Sequence, residues 1–308
     1  MLKRCFLNFK LHFILFAFFL PAFFITTAFD LQAKTAAVQQ ATQSCLWMVN
    51  TQSNKIYLLG SLHLLKPDAY PLAAAIEKAY ADSRVIIFET DIAALQSPGV
   101  QAKLLELGIY PGEQNLLQNL DGNTRQQLEK KMSEIGLPLE QFSQFKPWFV
   151  ALTLTTLELQ QMGYNPSYGI DVYFFNKASA DGKEIDFLEP AEFQINLLGN
   201  MDEQDQFDFL SQTLKDLDVI NELSSDLVKS WKTGNAEKLH ELLHKSFKDY
   251  PDIHDRLLIQ RNKKWINKIE GAMRKNKNAL FVVGAGHLVG PESVVDLLKE
   301  KGYQVKQQ

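Results

Sequence analysis

Cysteine is scarce, with Cys5 and Cys45 the two in 308 residues. Cys5 falls in an N-terminal segment that reads as removable, and Cys45 alone cannot make an internal disulfide. Without a paired catalytic context it reads as a small core residue. No Cys follows the N-terminal apolar run where a lipoprotein would carry one. Clusters of Lys and Arg are missing too, and the formal net charge is −4. That argues against a nucleic-acid partner, whose phosphates need a concentrated basic face. After residue 44 no Pro/Gly/Ser-rich linker divides the chain, so 45–308 reads as one domain with a composition able to bury a sizeable core.

Long apolar runs are confined to the N-terminus. Lys3, Arg4 and Lys10 precede a run from Phe13 to Phe29 broken by Pro21 and two threonines. This is the charged region and apolar stretch of a secretory signal, with small-residue cleavage sites at Ala28 or Ala33. The run also approaches membrane-spanning length, so an uncleaved anchor is the alternative. Either reading makes 1–33 a signal peptide or anchor and 34–44 a polar linker. The remainder then lies in a periplasmic or other extracytoplasmic space, with membrane contact only through an uncleaved N-terminus. Cleavage at Ala33 removes three cations and Asp30, and the formal charge becomes −6.

"CLWMVN" and "KIYLLG" are strand-like runs separated by Thr51-Gln52-Ser53-Asn54, which predicts a hairpin. "PDAYPLAAAIEKAYADS" reads as a helix, and "RVIIFET" as a buried strand lying beside "KIYLLG" in a parallel pair. Helical periodicity dominates from Gln101 to about Lys275, with breaks at Tyr110-Pro111-Gly112, Asp121-Gly122 and Gly136-Leu137-Pro138. Within it "EIDFLE" is a short strand. "NALFVVG", "PESVVDLLKEKG" and "YQVK" close the chain as strand, helix and strand. The expected fold is α/β (α+β), a central mixed sheet built from both chain ends with a large helical insertion, a helical subdomain at about 101–275.

One phrase occurs twice. "LLGSLHLLKPD" and "VVGAGHLVGPE" align on His63 and His287, matching Gly60 with Gly284, Leu64 with Leu288, Pro67 with Pro291 and Asp68 with Glu292. Each is strand, glycine turn, histidine, helix start. Ligands of open α/β sheets bind at the carboxyl ends of strands, where both histidines fall. Glu89 ends "RVIIFE" in the same position, and a carboxylate at the mouth of an apolar strand must be solvated, paired or metal-bound. Two imidazoles and a carboxylate suit a metal site with open positions. A metal-free version has one histidine as general base, oriented by Glu89.

"HELLH", His240 to His244, fits the zinc-protease pattern. Leu239, Leu242, Leu243 and Phe247 supply the apolar stripe of that helix, which assigns His240, Glu241 and His244 to a solvated face. Tyr250 stands where an extended metzincin pattern would place its third His.

The doubled Gly-x-x-His with Glu89 resembles the TraB/GumN family, which is similar in turn to Tiki-type metalloproteases and, more distantly, to erythromycin esterase-like hydrolases. Further matching pieces are "KPW" (Lys146 to Trp148), "GID" (Gly169 to Asp171), "FLEPAEFQ" (Phe187 to Gln194) and "RNKKW" (Arg261 to Trp265). Gln260 departs from the pattern, which commonly has an acid there. The resemblance implies His63, Glu89 and His287 as the catalytic and metal-binding set, with Arg261 as a polar partner that steadies negative charge. The implied cofactor is a divalent ion of the manganese or cobalt class, or zinc. Asp171, Glu189 and Gln194 are candidate substrate-binding residues, with helix starting and capping as their structural alternatives; Trp148 reads as core. The expectation is an exported metal-dependent hydrolase of a peptide or other amide or ester. The alternative is a binding or sequestering protein holding a peptide, metal or haem-like ligand at the same place.

Overall fold

A computed structural model of the chain describes residues 43–244, 247–248 and 250–308. The segment 1–33 and nearly all of the linker 34–44 lie outside the described residues. Among the described residues no helix is long and apolar enough to cross a membrane. The described chain divides into two compact units, one made of 92–166 and 191–220, the other of 43–91, 167–190 and 221–308. The stretch 101–275 is therefore shared between them, and its segments 167–190 and 221–275 belong with the sheet.

The sheet unit carries six strands among the described residues: β1 (Leu46–Asn50), β2 (Lys55–Ser61), β3 (Val85–Thr90), β4 (Glu184–Glu189), β5 (Ala279–Gly284) and β6 (Val305–Gln307), in the order β4-β3-β5-β2-β1-β6. The fold is mixed α/β, as its strand and helix patterns indicate. β1 and β2 form the expected antiparallel hairpin, with Leu46 opposite Leu59 and Asn50 opposite Lys55. Its turn is set by Thr51, whose Oγ1 accepts from the amides of Ser53 at 3.2 Å and Asn54 at 3.0 Å. Asn54 in turn donates to the carbonyls of Ala272 and Lys277, each at 2.9 Å, and so ties the hairpin to the end of the helix Gln260–Met273. β2, β3 and β5 are nearly continuous buried runs, as central parallel strands covered on both faces must be.

One expected neighbour is wrong. β3 does not lie beside β2; β5 runs between them, parallel to both, and β4 flanks β3 on the far side. The strand–helix–strand crossover from β2 to β3 skips a position that the C-terminal strand fills. The two copies of the repeated phrase are thereby adjacent strands, with Gly60 opposite Val283 and Ser61 opposite Gly284.

Two helices begin later than their patterns suggest. Pro67–Ala69 is a single 3-10 turn, Tyr70 before Pro71 is extended, and the α-helix runs only from Ala74 to Asp82; a residue before proline is driven out of helical conformation. The last helix is Val294–Glu300, because the Ser293 hydroxyl caps it by accepting from the Asp296 amide at 3.1 Å.

The helical unit includes the helices Pro98–Gly108, Gly122–Glu134, Pro147–Gln161, Ala191–Gly199 and Glu203–Leu217. Ser97, Asp121 and Asp202 cap three of them through side-chain oxygens that accept first-turn amides. Trp148 is fully buried beside Leu104, Phe149 and Ile195, a core residue as expected. A second core joins Leu128, Leu154 and Leu210.

Candidate active site

The carboxyl ends of β2, β3, β4 and β5 deliver His63, Glu89, Glu189 and the Gly284–His287 turn, all within the sheet unit. Close approach demands glycine at Gly60 and leaves little space at Gly284. A Cβ on Gly60 would lie 2.4 Å from the Cys45 sulfur and 3.1 Å from the Ala285 Cα, and one on Gly284 would lie 3.1 Å from Glu89 Oε1. Cys45 is fully buried against this turn, and burial pushes its thiol up to about 12.

His63 stands two residues beyond β2 with its side chain 55% exposed. Its Nδ1 lies 2.8 Å from Oδ2 of Asp171, in the first turn of the helix Ile170–Ala180. The Ile170 amide donates to the Leu62 carbonyl at 3.1 Å, which pins the start of that helix to the strand exit. Asp171 is thus both a helix-start residue and the partner of a candidate catalytic imidazole. Its charge raises His63 to about 9, against the opposing pull of partial burial.

Arg261, on the helix Gln260–Met273, holds the buried part of the site. Nη2 donates to Glu89 Oε2 at 2.6 Å and Glu189 Oε2 at 2.8 Å, and Nε donates to Glu189 at 3.1 Å. Nη1 donates to the Leu257 carbonyl and to His287 Nε2, both at 3.0 Å. All five N–H groups of the guanidinium are committed, in the fork geometry that lysine lacks. The indole of Trp265, one helical turn on, lies under the guanidinium at 4.8 Å and donates to Glu189 Oε1 at 2.9 Å. Glu189 is therefore a buried partner of Arg261 rather than a helix cap. Gln260, the departure from the family pattern, bonds Asp255 instead and leaves these pairs intact.

Glu89 also accepts from the Gly284 amide at 2.6 Å. Burial, the largest single influence, pushes its carboxyl up; the Arg261 charge together with the neighbouring imidazoles and the Gly284 amide outweighs it and holds the group at about 2. His287 is 3% exposed. Its Nδ1 meets Asn262 Oδ1 at 2.6 Å, and since the Asn262 amide nitrogen donates to the Glu292 carbonyl, that oxygen must accept. The imidazole is then the Nδ1–H tautomer, with Nε2 accepting from Arg261. Burial and the neighbouring guanidinium push it down to about 3, so it is neutral. Asn262 and Trp265 were not singled out as site residues in the sequence, although "RNKKW" contains both.

Gln194 lies in the helix Ala191–Gly199 of the helical unit.

A divalent ion would have to be held by His63, Glu89 and His287. The Nε2 lone pair of His287 accepts from Arg261, Glu89 is divided between Arg261 and the Gly284 amide, and His63 Nδ1 is bonded to Asp171. Among the described residues no three His, Cys, Asp or Glu side chains are arranged to hold one ion. The set as arranged does not fit a metal, because a guanidinium already supplies the positive charge between its donors.

Of "HELLH", Glu241 is exposed and pairs with Lys238 as expected, but the two histidines do not lie on a solvated face. His240 packs on His244 with ring centroids 4.4 Å apart, and His244 Nδ1 meets His254 Nε2 at 2.6 Å. His240 Nδ1 and His244 Nε2 are buried atoms without hydrogen-bond partners. Burial, with the neighbouring imidazoles, pushes His244 down to about 4. The helix Ala236–His244 packs against the turn that bears His287, so its second face is covered as well.

The sequence profile of the TraB/PrgY/gumN family matches residues 45–307. The chain is 25% identical over 243 residues to the uncharacterized protein YbaP of Escherichia coli, covering 79% of this chain and 87% of that one. It is 22% identical to metalloprotease TIKI2 of Danio rerio, covering 87% of this chain and 61% of the relative, and 20% identical to metalloprotease TIKI1 of the same organism, covering 89% and 65%. The chain thus spans less than two thirds of these two metalloproteases. No solved structure matches it.

Proposed function

From its place in the TraB/PrgY/gumN family, to which this chain belongs, and from the His63–Asp171 pair, we propose that the protein is an exported hydrolase. Its substrate is a peptide or other amide or ester in the periplasm or an equivalent extracytoplasmic space. Relatives named metalloproteases support the reaction class. The observation that carries the reading is the 2.8 Å contact between the half-exposed His63 ring and Asp171. It is the base-and-orienter arrangement of general acid–base catalysis, with Asp171 rather than Glu89 as the orienting acid.

In this reading the neutral form of His63, which dominates above about pH 9, takes a proton from water as the water oxygen adds to the acyl carbon. It then gives that proton to the departing amine or alkoxide as the acyl bond breaks, and ends unchanged. Ionised Glu89 and the Glu189 carboxyl, both gripped by Arg261, set a fixed field beside the reacting group. Neutral His287 keeps the Glu89–Arg261 pair in register. No step is assigned to an ion.

The test assays the purified chain on a peptide library with and without added manganese, cobalt or zinc, beside His63→Ala, His287→Ala and His240→Ala variants. Turnover that falls about 100-fold or more in His63→Ala and persists in His240→Ala supports the reading. Loss confined to His240→Ala overturns it. Binding of peptide or metal without cleavage by the wild type favours a sequestering protein instead.

A further inference from the structure

One helix grips the loop that carries His63 at both of its ends. The helix Ile220–Lys232 finishes in Trp231 and Lys232. Trp231 is 3% exposed, and its indole Nε1 donates to the buried carbonyl of Gly60 at 2.7 Å. Lys232 Nζ donates to the Asp68 carbonyl at 2.8 Å. Between these two the Ile170 amide holds the Leu62 carbonyl, one residue before His63. The stretch 60–68 is thus fastened at its first residue, at its last and beside the imidazole, by donors that all belong to the sheet unit.

The grip has a firm base. Gln307 in β6 donates to the Gly234 carbonyl at 2.6 Å and to the Ser44 carbonyl at 3.0 Å, so the end of the helix is tied to the edge strand of the sheet. Satisfying the fold would explain one of the two bonds to the loop and not the other. A buried carbonyl such as that of Gly60 must find a donor. Asp68 is exposed, and water would serve its carbonyl equally well. What the bonds share is the segment they span. His63 cannot place itself, since a side chain 55% exposed is fixed by little packing. Its ring reaches Asp171 only where the backbone on both sides puts it.

We propose that Trp231 and Lys232 are positioning residues: they hold the 60–68 loop so that the His63 ring stays on the Asp171 carboxylate. Neither touches the reacting group; both act through the loop backbone. A catalytic group displaced by about 1 Å loses on the order of 100-fold in rate, so small movements of this loop matter. Loss of either donor frees one end of the loop and loosens the His63–Asp171 contact. The effect on kcat rests on the hydrolase reading; the placement of the ring can be read without any turnover.

The test compares Trp231→Phe, Lys232→Met and the conservative Lys232→Arg in the full chain. Each is read for thermal midpoint, for kcat and KM on the library peptides, and for the His63 Nδ1 signal in a nitrogen NMR spectrum of labelled histidines, with Asp171→Asn as the unpaired reference. Expected are a kcat lower by about tenfold in Trp231→Phe and by less in Lys232→Met, an unchanged KM, and a His63 signal moved toward the reference. Lys232→Arg keeps the wild-type values. A lower midpoint with wild-type kcat and His63 signal makes the bonds purely structural and overturns the proposal. A raised KM with kcat intact makes them substrate contacts and overturns it too. If Trp231→Phe does not fold, Lys232→Met and Lys232→Arg decide on the same readouts. A wild type without turnover sinks the hydrolase reading, while the His63 signal still judges the grip. A wild-type His63 signal equal to that of Asp171→Asn means there is no pair to hold and overturns both.

Discussion

The Nδ1 of His63 lies 2.8 Å from Oδ2 of Asp171, across 108 residues of chain. That carboxylate is the main reason the imidazole is raised to about 9 from its ordinary 6.5. Asp171→Asn keeps the shape and removes the charge, so His63 titrates near its ordinary value again. The acid limb of the pH–rate profile moves down with it, and kcat at high pH falls as the ring loses its orienter. NMR titration of the His63 ring checks the first expectation and a pH series the second; an unmoved titration breaks the link between the two residues.

Arg261 is the next case. With Arg261→Met the carboxylates of Glu89 and Glu189 remain buried without their cation, and breaking a buried pair in this way costs about 3–5 kcal/mol. Arg261→Lys restores little, since one ammonium cannot span Glu89, Glu189, His287 and the Leu257 carbonyl. Urea unfolding measures both. A triple variant that also carries Glu89→Gln and Glu189→Gln recovers part of the loss, because the charges left unpaired are gone.

Much of this was legible in the chain and some was not, for physical reasons. The hairpin could be read because a polar four-residue turn between two alternating runs is local. Glu89 could be read because a carboxylate ending an apolar strand must find a partner; the same argument applies to Glu189 at the end of "EIDFLE", where capping was the weaker choice. The place of β5 between β2 and β3 could not be read, since periodicity states that a strand is buried and not which strands flank it. The His63–Asp171 pair was hidden for the same reason: "GID" announces a helix start, and only the Ile170–Leu62 bond reveals what it starts beside. The solvated face assigned to "HELLH" held for Glu241 and failed for His240 and His244, because a hydrophobic stripe identifies one buried face and is silent about a second.

Removing Arg261 also tests the metal question. In Arg261→Met the Nε2 of His287 and the oxygens of Glu89 and Glu189 lose the cation that engages them, and they offer a nitrogen and two carboxylates to another. Added manganese or zinc is expected to raise the thermal midpoint of this variant by several degrees and that of the wild type by less. An equal rise in both places any ion elsewhere.

Gly290 tests the burial of the histidine cluster. Its φ of 82° is in the left-handed region, and a Cβ there would fall 2.1 Å from His240 Nδ1. Gly290→Ala should destabilise by more than about 2 kcal/mol from strain and overlap together. Adding His240→Ala removes the overlap and leaves the strain, so in a double-mutant cycle the double variant loses less stability than the two single losses added together. Additive losses would mean that His240 turns to solvent.

Acid and base should act on the fold through different residues. His287 ordinarily titrates at 6.5 and is held near 3 when folded, so between those values the unfolded chain takes a proton that the folded chain refuses, and stability falls as pH falls. Glu89 acts in the same direction: its folded value near 2 against an ordinary 4.5 gives stability that is full above 4.5 and lost toward 2. His63 runs the other way, contributing fully below 6.5 and losing its contribution as pH rises through 9; solvent at its half-exposed ring makes this the smallest of the three. Unfolding free energies from pH 3 to 9 should therefore pass through a maximum near neutrality, with the steeper fall on the acid side. His287→Asn flattens the limb between 6.5 and 3, Glu89→Gln flattens it below 4.5, and His63→Asn flattens only the alkaline side. If His287→Asn leaves the acid limb as steep as before, the buried imidazole is already protonated at neutral pH, and its acceptor role toward Arg261 is wrong.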